Sequence, residues 1–192
     1  MVGGFPRDAL FLIAGPCVLE DDTLNLRVGE ALARLADSIP GGIVYKASFD
    51  KANRSNASAH RGPGMHEGLE KLARVRAKTG LRVLTDVHLP EQCEAVAQVV
   101  DVLQIPAFLC RQTDLLEAAG ATGKPVNVKK GQWMAPEAMK GAVEKVYNAR
   151  PKATGHRPQA TGHRETATIH DSRFTIHLLP LQSAAAFSAM ET

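Results

Sequence analysis

The run Tyr45-Lys46-Ala47-Ser48-Phe49-Asp50-Lys51-Ala52-Asn53-Arg54-Ser55 concentrates groups that can do chemistry. Two lysines, an arginine, an asparagine and two serines follow directly on the apolar stretch Gly42-Ile43-Val44. Cations neutralise phosphate charge, and short polar side chains fix phosphate oxygens by hydrogen bonds. A sugar phosphate or an enol phosphate requires this mixture. Taken alone, the run reads equally as a solvated basic loop. What separates the two readings is whether other segments bring matching groups to the same place.

The elements needed for that are visible in the hydrophobic pattern. Leu10 to Ala14 is a short apolar run closed by Gly15-Pro16, and Ile43 to Lys46, Leu81 to Val87, Val102 to Ile105 and Val126 to Val128 read as further strands. Between them, apolar residues recur at helical spacing: Leu24, Val28, Ala31, Leu32, Leu35 and Ile39, then Met65, Leu69, Leu72 and Val75 up to Gly80. Pro63, Pro90 and Pro136 stand where helices can open, and one more helix is expected around Leu115 to Ala119. Alternating strands and helices imply parallel pairing and a layered α/β fold, with the site at the C-terminal strand ends. The residues that follow the five strands are Pro16-Cys17, Lys46 to Ser55, Asp86-Val87-His88, Gln104 to Gln112 and Lys129-Lys130. Five successive strand ends thus converge on polar, mostly cationic groups.

Composition narrows the function classes. The 192 residues suffice for one domain with a sizeable core, and the apolar fraction of 44% is globular. A net charge of +3, no Lys/Arg-rich run and 5% aromatic residues argue against a nucleic-acid partner. No apolar stretch reaches membrane-spanning length, and no signal-peptide layout opens the chain. Cys17, Cys93 and Cys110 form no C-x-x-C pair, which fits a reducing, cytoplasmic setting better than a disulfide framework.

The character changes after Arg150. Ala153-Thr154-Gly155-His156-Arg157 recurs as Ala160-Thr161-Gly162-His163-Arg164, and histidines stand at 156, 163, 170 and 177. A helix would stack them into a metal face. Gly155, Pro158 and Gly162 argue against that helix, and the spacing is not that of a usual zinc site. Two units are therefore expected: residues 1–150, and a divergent tail 151–192, disordered or read from a shifted frame.

Several segments resemble the 3-deoxy-D-manno-octulosonate 8-phosphate synthases, also called 2-dehydro-3-deoxyphosphooctonate aldolases. They are Ile13-Ala14-Gly15-Pro16-Cys17, Lys46 to Ser55, Arg61-Gly62-Pro63-Gly64, Leu84-Thr85-Asp86-Val87-His88, Gln104 to Asp114 and Asn127-Val128-Lys129-Lys130. The resemblance covers roughly residues 9 to 148 and follows the family order. It implies the family's (β/α)8 barrel, an aldolase/heptulosonate-phosphate synthase-like fold normally of about 250 residues. Here about five βα units of that barrel are expected, and so an incomplete TIM barrel. The implied activity is a transferase reaction. Phosphoenolpyruvate and D-arabinose 5-phosphate condense with water to 3-deoxy-D-manno-octulosonate 8-phosphate and phosphate, for lipopolysaccharide synthesis. The alternatives are a heptulosonate-phosphate synthase, against which the Asn53-Arg54-Ser55 loop argues, and a non-catalytic half-barrel binding module.

The resemblance also assigns roles. Lys46, Lys51 and Lys129, with Gln104 and the Pro106-Ala107 backbone, are expected to grip phosphoenolpyruvate, with Ser48 alongside. Asn53, Arg54 and Ser55 are expected to hold the sugar phosphate, and Arg111 to reach it from a neighbouring copy in a homo-oligomer. Asp86, Lys51 and Asn53 are the expected catalytic groups, Asp86 by positioning a water or a substrate hydroxyl. Cys17 stands where metal-dependent members place a cysteine ligand. A divalent ion is therefore expected in the intact enzyme, of unknown identity. Its His, Glu and Asp partners match no motif in this chain, so retention of the ion here is not expected. Cys93 and Cys110 read as packing residues. For the chain as it stands, little or no synthase activity is expected.

Overall fold

The computed structural model describes residues 9–56 and 58–151. The tail expected to diverge, with its four histidines, therefore lies outside the described residues but for Pro151. Five strands alternate with five α-helices: β1 (Leu12–Val18), α1 (Asp22–Ala36), β2 (Ile43–Ser48), α2 (Met65–Thr79), β3 (Arg82–Asp86), α3 (Gln92–Val99), β4 (Val102–Ile105), α4 (Thr113–Ala121), β5 (Val126–Val128) and α5 (Met139–Asn148). The strands form one parallel sheet in the order β1-β2-β3-β4-β5. Sequential parallel neighbours joined by helices are the arrangement of successive units of a (β/α)8 barrel.

Local chemistry explains the helix ends. Asp21 caps α1 by accepting from the Leu24 amide at 2.9 Å, and Gly80 closes α2 in the left-handed conformation at φ 71°. Pro136 opens a short 3-10 turn, Pro136–Ala138, that leads into α5.

Strand β1 departs from the sequence reading. It does not stop at Gly15-Pro16 but runs on to Val18, and its register against β2 slips between Ala14 and Cys17. Gly15 and Pro16 stand opposite Lys46 alone, which makes a bulge. Only glycine fits at position 15, since a Cβ would overlap the Lys46 carbonyl oxygen. Cys17 follows at φ 68°, the single non-glycine residue with positive φ among the described residues.

Side-chain alternation splits each strand between two faces. Tyr45, Ala47, Val83, Leu103, Ile105, Val126 and Val128 pack under the helices with Leu72, Val75, Val96, Leu116 and Met139 in the main core. On the opposite face Val44, Leu84 and Val102 form a smaller cluster with Phe11 and Ile13. One step further toward the C-terminal ends, the same inward face carries Ser48, Asp86, Gln104 and Asn127, all buried and all polar. No described helix is long and apolar enough to cross a membrane.

Candidate active site

A cleft of about 350 Å³ opens at the C-terminal ends of the strands. Strand β2 and its loop supply Lys46, Asp50, Lys51, Ala52 and Asn53; β3 supplies Asp86 and His88. Gln104 and the turn Pro106–Leu109 form the third wall, and Lys129 and Gln132 the fourth.

Behind the wall, the polar layer forms one directed hydrogen-bond chain. Lys51 Nζ donates to Ser48 Oγ at 2.9 Å and Lys46 Nζ to the same oxygen at 3.2 Å. The Ser48 hydroxyl donates to Asp86 Oδ2, and Gln104 Nε2 donates to Asp86 Oδ1. Asn127 Nδ2 donates to Gln104 Oε1 at 2.9 Å. Every donor points toward the Asp86 carboxylate. Burial alone would raise its pKa, but the Lys46 charge, the bonds from Ser48 and Gln104 and the Lys51 charge outweigh that and hold it below the usual range. Lys46 shifts the other way. Burial brings its ammonium down to about 8, against the opposing pull of Asp86.

The loop after β2 is tied at both ends. The Arg61 guanidinium grips Asp50 through Nε–Oδ1 at 2.8 Å and a second contact at Nη2, and the Lys51 amide donates to the Arg61 carbonyl at 2.7 Å. Arg61 accordingly lowers the Asp50 pKa. Gly62, at φ 118°, passes against the Phe49 carbonyl where a Cβ would crowd it. This closure holds out Lys51 and Asn53. Arg54 is exposed, with Nε bonded to the His60 carbonyl at 3.2 Å.

Lys129 and Lys130 separate cleanly. Lys130 Nζ is spent on the Gly131 and Met134 carbonyls, each at 2.9 Å. Lys129 lines the cleft, and its ammonium takes no hydrogen bond among the described residues.

Of the residues expected from sequence, Lys46, Lys51, Asn53, Asp86, Gln104, Pro106, Ala107 and Lys129 line this one cleft. Ser48 lies just behind it as the junction of the chain. Arg54 and Ser55 are exposed on the adjoining loop and do not line the cleft, nor does Arg111, exposed just before α4. Cys17 is exposed on the bulge of β1, where its carbonyl accepts from Lys46 Nζ at 3.4 Å. Burial would raise the Cys17 pKa, but a bond from Lys51 and the charges of Lys51, Lys46 and Arg54 bring it down. Cys93 and Cys110 are buried in the core, and burial pushes the Cys93 thiol up to about 11.

The described residues do not by themselves fit a divalent ion. No group of three or more His, Cys, Asp or Glu side chains that could hold one occurs among them. Cys17 is a single donor, and its nearest charged neighbours are cations.

Four features of the site were given no role from the sequence. His88 lines the cleft, edge-on to Phe49 with ring centroids 6.0 Å apart, and burial lowers its pKa. Its position two residues after Asp86 was the available signal, since i and i+2 share a strand face. The Asp50–Arg61 clamp and Asn127 carry no such signal, because their partners lie far along the chain. Phe108, on the cleft wall, stacks on Trp133 with centroids 5.7 Å apart and planes 25° apart.

A parallel βα sheet with a cleft at its C-terminal rim defines the class as proteins built from successive units of a (β/α)8 barrel. Residues 6–176 match the DAHP synthetase I family, and the chain belongs to that family. The match runs past residue 150 into the segment expected to diverge. Among curated proteins the chain is similar to the 2-dehydro-3-deoxyphosphooctonate aldolase of Citrifermentans bemidjiense, 56% identical over 144 residues, which are 75% of this chain and 52% of the relative. The protein of the same name from Magnetococcus marinus is 57% identical over 128 residues, 67% of this chain and 45% of the relative. That of Verminephrobacter eiseniae is 54% identical over 144 residues, 75% and 50% of the two chains. The chain spans about half the length of the curated relatives it matches.

Proposed function

We propose that this cleft is the phosphoenolpyruvate site of a condensing enzyme that uses D-arabinose 5-phosphate as its second substrate. The observation that carries the reading is the set of ammonium groups of Lys46, Lys51 and Lys129 around one cleft. The two carboxylates there are already committed, Asp86 to Ser48 and Gln104 and Asp50 to Arg61. A net cationic, partly buried pocket suits a small substrate with both a phosphate and a carboxylate.

In this reading the enol carbon of phosphoenolpyruvate attacks the aldehyde carbon of arabinose 5-phosphate, forming the new C–C bond. Water adds at the neighbouring carbon, and C–O cleavage releases inorganic phosphate, leaving 3-deoxy-D-manno-octulosonate 8-phosphate for lipopolysaccharide synthesis. Lys46, Lys51 and Lys129 hold the enol phosphate against the aldehyde, which converts a bimolecular encounter into a positioned one. Gln104 and the Pro106–Ala107 backbone complete that grip. Asp86 orients the water or a sugar hydroxyl. Asn53, Arg54 and Ser55 hold the sugar phosphate, joined by Arg111 from a neighbouring copy in a homo-oligomer. The free thiols fit a cytoplasmic location. A divalent ion at Cys17 would require donors from outside the described residues, so no step is routed through one.

Calorimetric titration tests the reading. Saturable binding of phosphoenolpyruvate, lost in Lys129→Ala and Lys46→Ala, supports it; absence of binding rejects it. The heptulosonate alternative differs in carbon count, since seven carbons need a four-carbon aldose phosphate beside the three of phosphoenolpyruvate. Preference for a tetrose over a pentose phosphate would transfer the assignment.

A further inference from the structure

Asn127 lies behind the cleft rather than in it. It is the inward-facing residue of β5, 5% exposed, and reaches the site only through Gln104. The polarity of the chain is forced from one end. An ionised carboxylate only accepts, so Gln104 must turn Nε2 toward Asp86. That leaves Gln104 Oε1 facing β5, where Asn127 Nδ2 is its donor. The Asn127 Oδ1 atom is buried without a hydrogen-bond partner among the described residues, so the side chain's polar contact in the site is this one bond. Gln104 Nε2 carries two hydrogens, and Gln104 lines the cleft, so the hydrogen not given to Asp86 remains for a bound ligand.

We propose that Asn127 is a positioning residue that latches the Gln104 amide so that the cleft meets an N–H donor rather than a carbonyl oxygen, and so sets the preference of the site for anionic oxygens. The inference rests on the reading of the cleft as a phosphoenolpyruvate site. Without the Asn127 donor, Gln104 Oε1 is buried and unpaired, a costly state that rotation of the amide relieves. Rotation turns the carbonyl toward the cleft and the Asp86 carboxylate, where it repels the ligand instead of binding it.

A double-mutant cycle on the full chain tests this, read by calorimetric titration with phosphoenolpyruvate. Asn127→Leu keeps the volume and loses the donor, and is expected to weaken binding about tenfold, the range for a buried acceptor left unpaired. In a Gln104→Leu background the same change is expected to cost less than about twofold, because the group it acts through is gone. An equal loss in both backgrounds, or no loss in the first, overturns the proposal.

Asn127→Asp supplies a second reading of the same shape. Ionised, it cannot donate to Gln104; protonated, it can. Its deficit relative to the unsubstituted chain should shrink from pH 8 to pH 5.5, in a setting of Asp86 on β3, His88 just after it, Lys46 and Lys51 around β2 and Lys129 directly after β5. A deficit equal at both pH values overturns the latch. If the unsubstituted chain binds inorganic phosphate but not phosphoenolpyruvate, the substrate reading fails and the cycle is read with phosphate. If it binds neither, both readings fall.

Discussion

Lys46 gives the sharpest test of the site's charge. Its ammonium is brought by burial to a pKa of about 8, from an ordinary 10.5. An anion that needs the protonated form therefore competes with deprotonation above pH 8. Apparent affinity scales with the protonated fraction, which is about nine-tenths at pH 7 and about one-tenth at pH 9 for a group of that pKa. The expected result is an approximately tenfold rise in the dissociation constant for phosphoenolpyruvate between those pH values. The ligand itself contributes little, since a phosphate monoester has its second pKa near about 6 and is already mostly dianionic at the start of this range. Lys46→Arg keeps the charge throughout this range and should flatten the curve, whatever it does to absolute affinity. Cys17 has a depressed thiol beside Lys46, so Cys17→Ser serves as the control for a second titration. Trp133 is the chain's one tryptophan and stacks on Phe108 at the cleft wall, which makes its fluorescence the natural assay. A flat profile in the unsubstituted chain, or an undiminished slope in Lys46→Arg, would refute the reasoning. Stability has the opposite dependence. With the folded pKa depressed, the unfolded chain binds more protons between pH 8 and 10.5, so this group makes folding more favourable as pH rises through that window.

Two further outcomes follow from the packing. Gly68 on α2 sits so close to Phe49 that a Cβ would overlap the Phe49 Cβ; Gly68→Ala should lower the urea midpoint by the equivalent of about 1–2 kcal/mol, overpacking outweighing the helix-propensity gain, and an unchanged midpoint would contradict the contact. Asp50→Asn should speed tryptic cleavage at Lys51 and Arg54 and weaken phosphoenolpyruvate binding, because the loop loses the Arg61 grip; protection equal to the unsubstituted chain would show that the backbone bond from Lys51 to Arg61 suffices alone.

Strand–helix alternation and the polar strand ends could be read from residue types because both are local. Period-2 and period-3.6 patterns carry the elements, and Lys46, Asp86, Gln104 and Lys129 converge simply because parallel strands put like ends together. Three things were not local. The bulge at Gly15-Pro16 depends on how closely the Lys46 carbonyl approaches from another strand. The direction of the Asn127–Gln104–Asp86 chain depends on register across three strands, which no single segment encodes. The difference between Lys129 and Lys130, adjacent and chemically identical, depends on where the loop through Met134 presents its carbonyls.

The inward face of the sheet changes character within two residues along each strand. Val44, Leu84 and Val102 are apolar and buried, and the next inward positions are Lys46, Asp86 and Gln104. A lysine placed against that apolar layer loses solvation on one side, which is why its pKa falls. Asp86, one strand over, recovers what burial costs it by accepting from Ser48 and Gln104 while facing the Lys46 charge. Lys46 and Lys51 both donate to Ser48 Oγ, so two like charges are held together before any ligand arrives. That repulsion is a reason for an anion to bind: a phosphate between them relieves it, and the donors need little reorganisation to meet it.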